Sequence, residues 1–372
     1  TYSLYGFTPL DTPVIESSEV LLAKGGGETE KQIYRFQKGD ADLALRFDLT
    51  VPLAKYVALH GGDLSFPFRR YQIGKVYRGE RAQRGRFREF YQADIDIIGD
   101  GKLDITNEAE IPSIIYQTFS TLGLKRFQIR VNNRKILNGF YAMLGLMEQS
   151  GDIMRTVDKL DKIGADGVKK ELLEKEFDAA AVEALDEFLR AGDFSLDAVT
   201  ARVGDETLTA DLRYVIATAE KIANGRYGIA YAPSLVRGQG YYTGMVFEVT
   251  CPQFSGAVAG GGRYDNMVGK FIGQQVPAVG FSIGFERVCG ILLEQDYQIP
   301  GAKQKLALLY LKDADFAAVL AKADALRAAY DVTVLPQAKK LGKQFGTLEA
   351  AGYNAVAFAD NDDIKVLGQK AE

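Results

Sequence analysis

Apolar and polar positions in the first part of the chain alternate with the period of a strand and then with that of a helix. Residues 7–16 have the pattern of a short strand, interrupted by Pro9 and Pro13. Residues 44–50 predict a strand that leads into a helix over 51–59. Thr50 is suited to the N-cap of that helix, and a proline is tolerated in its first turn.

The next segments continue this mixture of helix and strand. An amphipathic helix is predicted over 107–122, and a strand over 127–131. The apolar side chains of the helix recur at helical spacing and should face the core: Ile111, Ile114, Ile115, Phe119 and Leu122.

The pattern changes after residue 150 and changes again near residue 225. Three charge-rich segments predict helices: 152–163, 180–191 and 212–223. Strands are predicted again at 227–231, 244–250 and 279–284. An alternation of strand and helix then follows, with strands at 305–311, 332–335 and 355–359 and helices at 315–328 and near 343–351. We therefore expect an α+β core from 1–150 and 225–298, a helical insertion at 151–224, and a C-terminal α/β domain at 304–372.

Composition narrows the possible functions without selecting one. The net charge of −4 gives no global sign of nucleic-acid binding, so any RNA contact must come from a local patch. Two cysteines, Cys251 and Cys289, are too few for a disulfide scaffold or a cysteine zinc site. The apolar runs are too short to cross a bilayer, and the N-terminus lacks a signal-peptide pattern. We therefore expect a cytoplasmic protein with no membrane association.

The chain contains a single histidine, His60, at the end of a predicted helix. A capping or surface role fits that position better than catalysis. A triad hydrolase and a multi-histidine metal site are therefore excluded. The chemistry must use arginines, carboxylates and a metal carried by the ligand.

A strongly basic segment lies between Arg69 and Glu89. Eight lysines and arginines stand there against two acids, Glu80 and Glu89. From Arg86 onward the residues alternate as in a strand. Arginines held on paired strands can grip polyphosphate, although a solvated basic hairpin would have the same charge.

The order of residues in this segment resembles motif 2 of class II aminoacyl-tRNA synthetases, in particular the histidyl-tRNA synthetase family. The matching pieces are YRGE at 77–80 and GRFREFYQ at 85–92. Further resemblances are LRFDLT at 45–50, LVRGQGYYTG at 235–244, AGGGRYD at 259–265 and VGFSIGFER at 279–287. Residues 7–16 resemble motif 1, which forms the dimer interface in that family. KKLGKQF at 339–345 resembles the anticodon-binding domain, and apart from the insertion the resemblance covers nearly the whole chain.

The resemblance implies a site for ATP, with Mg²⁺ bound to the nucleotide and no metal ligand assigned among the protein side chains. Arg78 would contact the α-phosphate, and Arg237 would be a second catalytic cation beside it. Glu80 would lie at the adenine, which Phe90 would stack against. Arg86 would neighbour the phosphates, and Arg287 would lie by the adenine and the γ-phosphate.

The resemblance also implies a site for L-histidine. Asp48 and Thr50, at i and i+2 on one strand face, would hold the α-amino group together with Gln92. Asp96 would bind the imidazole, although Asp94 and Asp96 could instead be ordinary strand acids. The remaining histidine-binding residues would be Arg237, Tyr241 and Tyr242. Gly240 stands where many family members carry an acid, and the glycines at 260–262 could form either a close approach to a ligand or a tight turn.

The implied activity is ATP-dependent formation of histidyl-adenylate and transfer of the histidyl group to histidine tRNA by a homodimer. Lys339, Lys340 and Lys343 would contact tRNA phosphates, unless they are a solvated helix end. Because the chain starts at Thr1 within a family-like segment, we expect residues upstream of it. One alternative is the non-catalytic paralogue that acts as the regulatory subunit of ATP phosphoribosyltransferase. A second is an adenylating enzyme that does not use tRNA.

Overall fold

The computed structural model of the chain describes residues 1–22, 28–81, 83, 85–146, 150–157, 159–191, 195–233, 235 and 241–368. Contacts divide the chain into two compact units, Thr1–Gln295 and Asp296–Glu372. Among the described helices, none has the length and apolar composition needed to cross a membrane.

The first unit is built on an eight-stranded sheet and a small three-stranded sheet. In chain order, the strands are β1 (Thr8–Pro9), β2 (Ile15–Ser17), β3 (Arg35–Lys38), β4 (Ala41–Leu45), β5 (Phe68–Tyr77), β6 (Glu89–Ile98), β7 (Gln128–Asn133), β8 (Gly228–Tyr231), β9 (Met245–Cys251), β10 (Phe254–Arg263) and β11 (Ala278–Gly284). The large sheet has the order β1-β5-β6-β11-β10-β9-β7-β8, and the small sheet β2-β4-β3. The six central strands of the large sheet pair antiparallel with one another, whereas β1 and β8 pair in parallel with β5 and β7 at the edges.

Helices pack around these sheets. They are α1 (Ser18–Leu22), α2 (Glu28–Lys31), α3 (Thr50–His60), α4 (Thr106–Thr121), α5 (Arg134–Met143), α6 (Ser150–Val157), α7 (Leu160–Glu174), α8 (Ala179–Arg190), α9 (Leu196–Val203), α10 (Thr207–Ala223), α11 (Gly269–Ile272) and α12 (Phe285–Glu294). The predicted amphipathic helix is confirmed as α4, which buries Ile111, Ile114, Ile115 and Phe119.

The N-terminal predictions were wrong in two places. Residues 7–16 do not form one strand, because β1 ends at Pro9 and β2 begins at Ile15 in a different sheet. A proline has no N–H with which to continue a sheet, which explains the break. The strand predicted over 44–50 ends at Leu45, so Asp48 and Thr50 do not share a strand face.

Thr50 is also not the N-cap of α3, as the sequence suggested. It is the first helical residue, Leu49 occupies the cap position, and no side chain of the cap residue accepts a hydrogen bond. The capping hydrogen bond is made instead by Asp48, whose Oδ1 accepts from the Val51 backbone N–H at 3.0 Å. His60 ends this helix, as predicted.

One further strand prediction was wrong, and the structure excludes the tight turn that was one alternative for the glycines at 260–262. The strand predicted from Arg86 begins only at Glu89, and Arg86 instead forms an isolated bridge with Gln83. The glycines at 260–262 are not a turn, because they lie inside β10. A Cβ on Gly261 would come within 2.0 Å of the Gly280 carbonyl oxygen on β11, so glycine is required by close packing of the strands.

The helices between β7 and β8 have a core of their own. Tyr141, Ile153, Val168, Val182 and Leu185 belong to its buried cluster. The single helix predicted over 152–163 is wrong, since α6 ends at Val157 and α7 begins at Leu160. The helices predicted over 180–191 and 212–223 are confirmed as α8 and α10.

The second unit is an α/β domain. Its strands are β12 (Gln304–Tyr310), β13 (Tyr330–Pro336), β14 (Ala355–Phe358) and β15 (Ile364–Val366), and its helices are α13 (Phe316–Leu326) and α14 (Leu341–Ala350). The sheet order is β13-β12-β14-β15, with β15 alone antiparallel. The predicted alternation of strand and helix is confirmed, and β15 was not predicted.

Candidate functional site

The candidate site lies in the first unit, where the middle of the large sheet carries polar side chains on a buried face. Gln92, Asp94 and Asp96 occupy alternate positions of β6 and therefore point to the same side. All three are buried, with 3% of Asp94 and 2% of Asp96 exposed. Buried carboxylates are unfavourable unless partners or ligands compensate them, so this polar face marks a functional site.

The polar face forms part of a cavity of about 160 Å³. Most of the predicted site residues line it: Thr50, Arg78, Glu80, Arg86, Phe90, Gln92, Asp96, Tyr241, Tyr242 and Arg287. Asp48 does not line it but is buried close by, and its charge acts on Asp94 and Asp96. Arg237 lies outside the described residues.

The neighbouring strands leave room for the acids. Gly280 on β11 pairs with Asp96, and Ser282 pairs with Asp94. A Cβ on Gly280 would lie 2.2 Å from Asp96 Oδ1, so only glycine fits opposite this carboxylate. On the other side, β5 places Arg70 beside Asp96 and Gln72 beside Asp94.

Asp96 is held by two side chains. Arg70, which is fully buried, brings Nη2 to 2.9 Å from Asp96 Oδ2, and the Tyr264 hydroxyl donates to Asp96 Oδ1. Burial raises the pKa of Asp96, while the charge of Arg70 and the hydrogen bond from Tyr264 act in the opposite direction. The carboxylate is therefore fixed in place at the cavity wall.

Asp94 is less well compensated than Asp96. Gln92 Nε2 lies 3.3 and 3.4 Å from its two oxygens, and Ser282 hydrogen-bonds to it. Burial, followed by the negative charge of Asp96, raises the pKa of Asp94 to about 7. Asp94 therefore changes its protonation near neutral pH.

Arginines form another part of the cavity lining. Arg78 Nε donates to the Phe47 carbonyl at 2.9 Å, and its guanidinium lies 5.1 Å from the centre of the Phe90 ring. Arg287 Nε donates to the Gly85 carbonyl at 3.2 Å. Arg86 is half-exposed, with Nη1 3.7 Å from Glu80 Oε2. The structure thus brings together three cations from sequence segments more than 200 residues apart.

Aromatic rings also line the cavity, whose part around Asp94 and Asp96 is here called the acidic end. The ring centres of Tyr241 and Tyr242 are 4.5 Å apart, and Tyr264 meets Tyr241 edge to face at 5.9 Å. Burial raises the pKa of Tyr241 and Tyr264 well above the ordinary value, so both phenols are neutral.

Several lining residues were not assigned a role from the sequence. Those with polar side chains are Asp94, Ser282, Tyr264 and Glu286. Asp94 could have been found, because it lies two residues from both Gln92 and Asp96 on a strand. Glu286 Oε1 accepts from the Tyr91 backbone N–H at 2.7 Å, a tertiary contact that no local pattern predicts.

The predicted tRNA contacts are in the second unit. Lys339, Lys340 and Lys343, here called the lysine cluster, are exposed, and Lys340 occupies the N-cap position of α14. Within the described parts of the chain, no group of three or more histidine, cysteine, aspartate or glutamate side chains is arranged to hold a metal ion.

Comparison with known proteins gives consistent matches. A family model described as Histidyl-tRNA synthetase matches residues 1–288. A histidine--tRNA ligase of Clostridium tetani (strain Massachusetts / E88) is 43% identical over 374 residues, covering 90% of this chain and 84% of that protein. The crystal structure of histidyl-tRNA synthetase from Nostoc sp. PCC 7120 gives a TM-score of 0.80 at 34% identity, covering 96% of this chain and 85% of that chain.

A further solved structure is similar in fold alone. It is described as an ATP phosphoribosyltransferase regulatory subunit/histidyl-tRNA synthetase from Bacillus halodurans. It gives a TM-score of 0.75 at 20% identity and covers 99% of this chain and 92% of that chain.

Proposed function

The chain belongs to the histidyl-tRNA synthetase family, and we propose on this basis that it activates L-histidine with ATP and transfers the histidyl group to the 3′ end of histidine tRNA. One observation carries the proposal. Arginines suited to a polyphosphate and acids suited to a cationic amino acid line the same cavity. The similarity in fold to a regulatory paralogue does not favour that alternative, because it comes with much lower identity.

The acidic end of the cavity suits histidine. Asp94 and Asp96 carry up to two negative charges against the single positive charge of Arg70, so this end of the cavity favours a cationic amino acid. Gln92 and Thr50 add neutral polar groups there, and Asp96 can accept from an imidazole N–H. A ligand without that N–H would not make this hydrogen bond to the buried Asp96, which is how such a site rejects wrong amino acids.

The basic end suits ATP. Arg78, Arg86 and Arg287 would bind the phosphates, and Glu80 and Phe90 would bind the adenine. Mg²⁺ bound to the nucleotide would supply further neutralisation of phosphate charge. Arginines fixed by backbone carbonyls need little rearrangement when charge develops on the phosphates, which favours the transition state.

The reaction requires no nucleophile from the protein. A carboxylate oxygen of histidine attacks the α-phosphorus of ATP, the bond from that phosphorus to the bridging oxygen breaks, and pyrophosphate leaves. The terminal ribose hydroxyl of the tRNA then attacks the carbonyl carbon of the adenylate, and AMP leaves. The protein positions the reactants and stabilises charge.

Each region of the chain has a function in this reaction. Residues 1–150 and 225–298 are the catalytic core, 151–224 are the helical insertion, and 304–372 are the anticodon-binding domain. The lysine cluster contacts tRNA, and Arg237 assists Arg78 at the α-phosphate. The protein acts as a homodimer in the cytoplasm.

Histidine-dependent exchange of labelled pyrophosphate into ATP tests the activation step, and charging of histidine tRNA tests the transfer step. The protein should catalyse both. Replacing Arg78 by alanine should lower exchange by roughly a hundredfold or more, because a fixed cation at the reacting phosphate is removed. Arg35→Ala is the matched control, since Arg35 forms an exposed ion pair with Asp42 on the small sheet. Absence of exchange in the wild-type protein would indicate the regulatory alternative, and exchange without charging would indicate an adenylating enzyme.

A further inference from the structure

The carboxamide of Gln92 is held between an acid and a cation. Its Nε2 donates to the Ser282 hydroxyl at 2.9 Å and faces both oxygens of Asp94. Its Oε1 accepts from Arg78 Nη2 at 3.4 Å. The amide therefore has one end in the acidic part of the site and the other toward the phosphate-binding arginine.

This orientation is determined from both ends. An ionised aspartate only accepts hydrogen bonds, so it must face the amide nitrogen, and an arginine only donates, so it must face the amide oxygen. Ser282 can accept from Gln92 while its own proton goes to Asp94. Rotating the amide by 180° would place oxygen against carboxylate and nitrogen against guanidinium, and both contacts would be repulsive.

On the neighbouring strand β11, Ser282 also accepts from Gln92 Nε2, but a hydroxyl can donate as well as accept and therefore does not select one end of the amide. Gln72, the partner of Asp94 on β5, already donates from Nε2 to Asp11 and accepts at Oε1 from Thr12 and Arg70. Asp96 is engaged by Arg70 and Tyr264.

We propose that Asp94 is a positioning residue that fixes the Gln92 carboxamide so that its oxygen, and not its NH₂ group, meets the α-ammonium of bound histidine. This inference rests on the proposed function, because the ammonium is that of the amino acid substrate. An amide oxygen accepts from an ammonium group, whereas a flipped amide would present two N–H donors to it. The contact with the substrate is therefore made by Gln92 and maintained by Asp94.

The positioning should depend on pH. A protonated Asp94 can donate to Gln92 Oε1 and so stabilises the flipped amide. The charged and titratable groups that act on Asp94 are Asp96 on the same strand, Arg70 on β5, Asp48 before α3, and the phenols of Tyr2, Tyr241 and Tyr264. Because burial and Asp96 raise its pKa to about 7, the change falls within the range in which the enzyme can be assayed.

The test uses pyrophosphate exchange by the full-length chain with Asp94→Ala, Asp94→Asn and the control Glu89→Gln. Glu89 lies on the same strand, pairs with Lys75 and is half-exposed, so its substitution makes the same acid-to-amide change outside the cavity. Asp94→Ala should raise the KM for histidine about tenfold or more, the loss expected for a hydrogen bond to a charged group, and leave the KM for ATP within about twofold. Asp94→Asn should show a smaller rise, because its amide oxygen can still accept from Gln92.

Two comparisons separate positioning from a general effect on the cavity. In a Gln92→Leu background, Asp94→Ala should add no further rise in the KM for histidine, because its effect passes through Gln92. Imidazolepropionate, which lacks the α-amino group, should inhibit the wild-type protein and Asp94→Ala equally. Full additivity of the two substitutions, or an equal loss of affinity for the amine-free compound, would overturn the inference.

The pH dependence is an independent measurement that needs only the nearly isosteric Asp94→Asn variant. The ratio of its KM for histidine to that of the wild type should fall as the pH decreases from 8 to 6, because the wild type loses its fixed amide. A constant ratio would overturn the inference even if Asp94→Ala does not fold. The proposed function is tested separately, since it fails only if the wild-type protein shows no histidine-dependent exchange.

Discussion

The buried Asp94 should make the stability of the protein depend on pH, because its surroundings disfavour the ionised form of its carboxyl group. Burial and the neighbouring Asp96 raise its pKa from 3.8 to about 7, although Arg70 and Ser282 offset part of the effect. In the unfolded chain the same carboxyl titrates near its ordinary value. Between these two values, the folded protein binds a proton that the unfolded chain has released.

The sign follows from this difference in proton binding. Where the folded state binds more protons than the unfolded state, the free energy of unfolding decreases as the pH rises. The contribution of Asp94 to the free energy of unfolding is thus largest below about pH 4. It decreases between about pH 4 and pH 7 and is constant at higher pH. A rise of the pKa from 3.8 to about 7 corresponds to roughly 4 kcal/mol.

Asp94→Asn removes this titration while keeping the shape of the side chain. Below about pH 4 Asp94 is protonated in both the folded and the unfolded chain, so the acid and the amide are both neutral and the two proteins should have similar stability. At pH 8 the variant should be more stable than the wild type by about 2–4 kcal/mol. It would gain stability while losing affinity for histidine, as expected for an acid kept for function.

Urea unfolding at pH 5, 6, 7 and 8, followed by far-UV circular dichroism, measures the difference. The transition of the first unit must be resolved from that of the second. Glu89→Gln provides a control, because a hydrogen bond from Lys75 lowers the pKa of Glu89. Glu89 is therefore ionised in the folded and the unfolded chain from pH 5 to 8, and the stability curve of this variant should run parallel to that of the wild type. Stability curves of Asp94→Asn and wild type that run parallel from pH 5 to 8 would refute the reasoning, since they would mean that Asp94 is ionised throughout.

Three further outcomes are expected. Gly280→Ala should lower histidine affinity by about tenfold or more in calorimetric titration, because its Cβ would lie 2.2 Å from Asp96 Oδ1; unchanged affinity would show that the strand can shift. Arg287→Ala should raise the KM for ATP in pyrophosphate exchange by about tenfold and leave that for histidine unchanged, while equal effects on both would separate Arg287 from the phosphates. Replacing the lysine cluster by glutamate should weaken tRNA charging and reduce its salt dependence without affecting exchange, and a parallel loss of exchange would contradict a role confined to tRNA.

Local patterns predicted those parts of the fold in which one periodicity decides the outcome. The apolar stripe of α4 and the strand and helix alternation of the second unit follow directly from residue spacing. The patterns gave wrong predictions where the structure of a segment depends on which strand it pairs with. Residues 7–16 have the composition of one strand, but their two ends pair in different sheets.

The candidate site shows the same division. Most of the site residues that the motifs predicted line the cavity, because the order of residues around Arg78, Tyr241 and Arg287 is itself distinctive. The motifs did not assign Asp94, because an acid on a strand has the same local pattern whether it faces solvent, a salt bridge or a ligand. Asp48 was predicted on a strand face, but it follows the strand and caps α3.

The sequence by itself determined that the chain forms an α+β protein, that arginines and acids carry its chemistry, and that no histidine-based mechanism is available. Only the tertiary structure decided which of those charges meet. Pairing of β6 with β5 and β11 places Arg70 beside Asp96, whereas Asp94 receives its hydrogen bonds from the neutral side chains of Gln92 and Ser282. The physical reason is that a pKa and a hydrogen-bond orientation depend on burial and on neighbours distant in sequence, and both arise only when the strands come together.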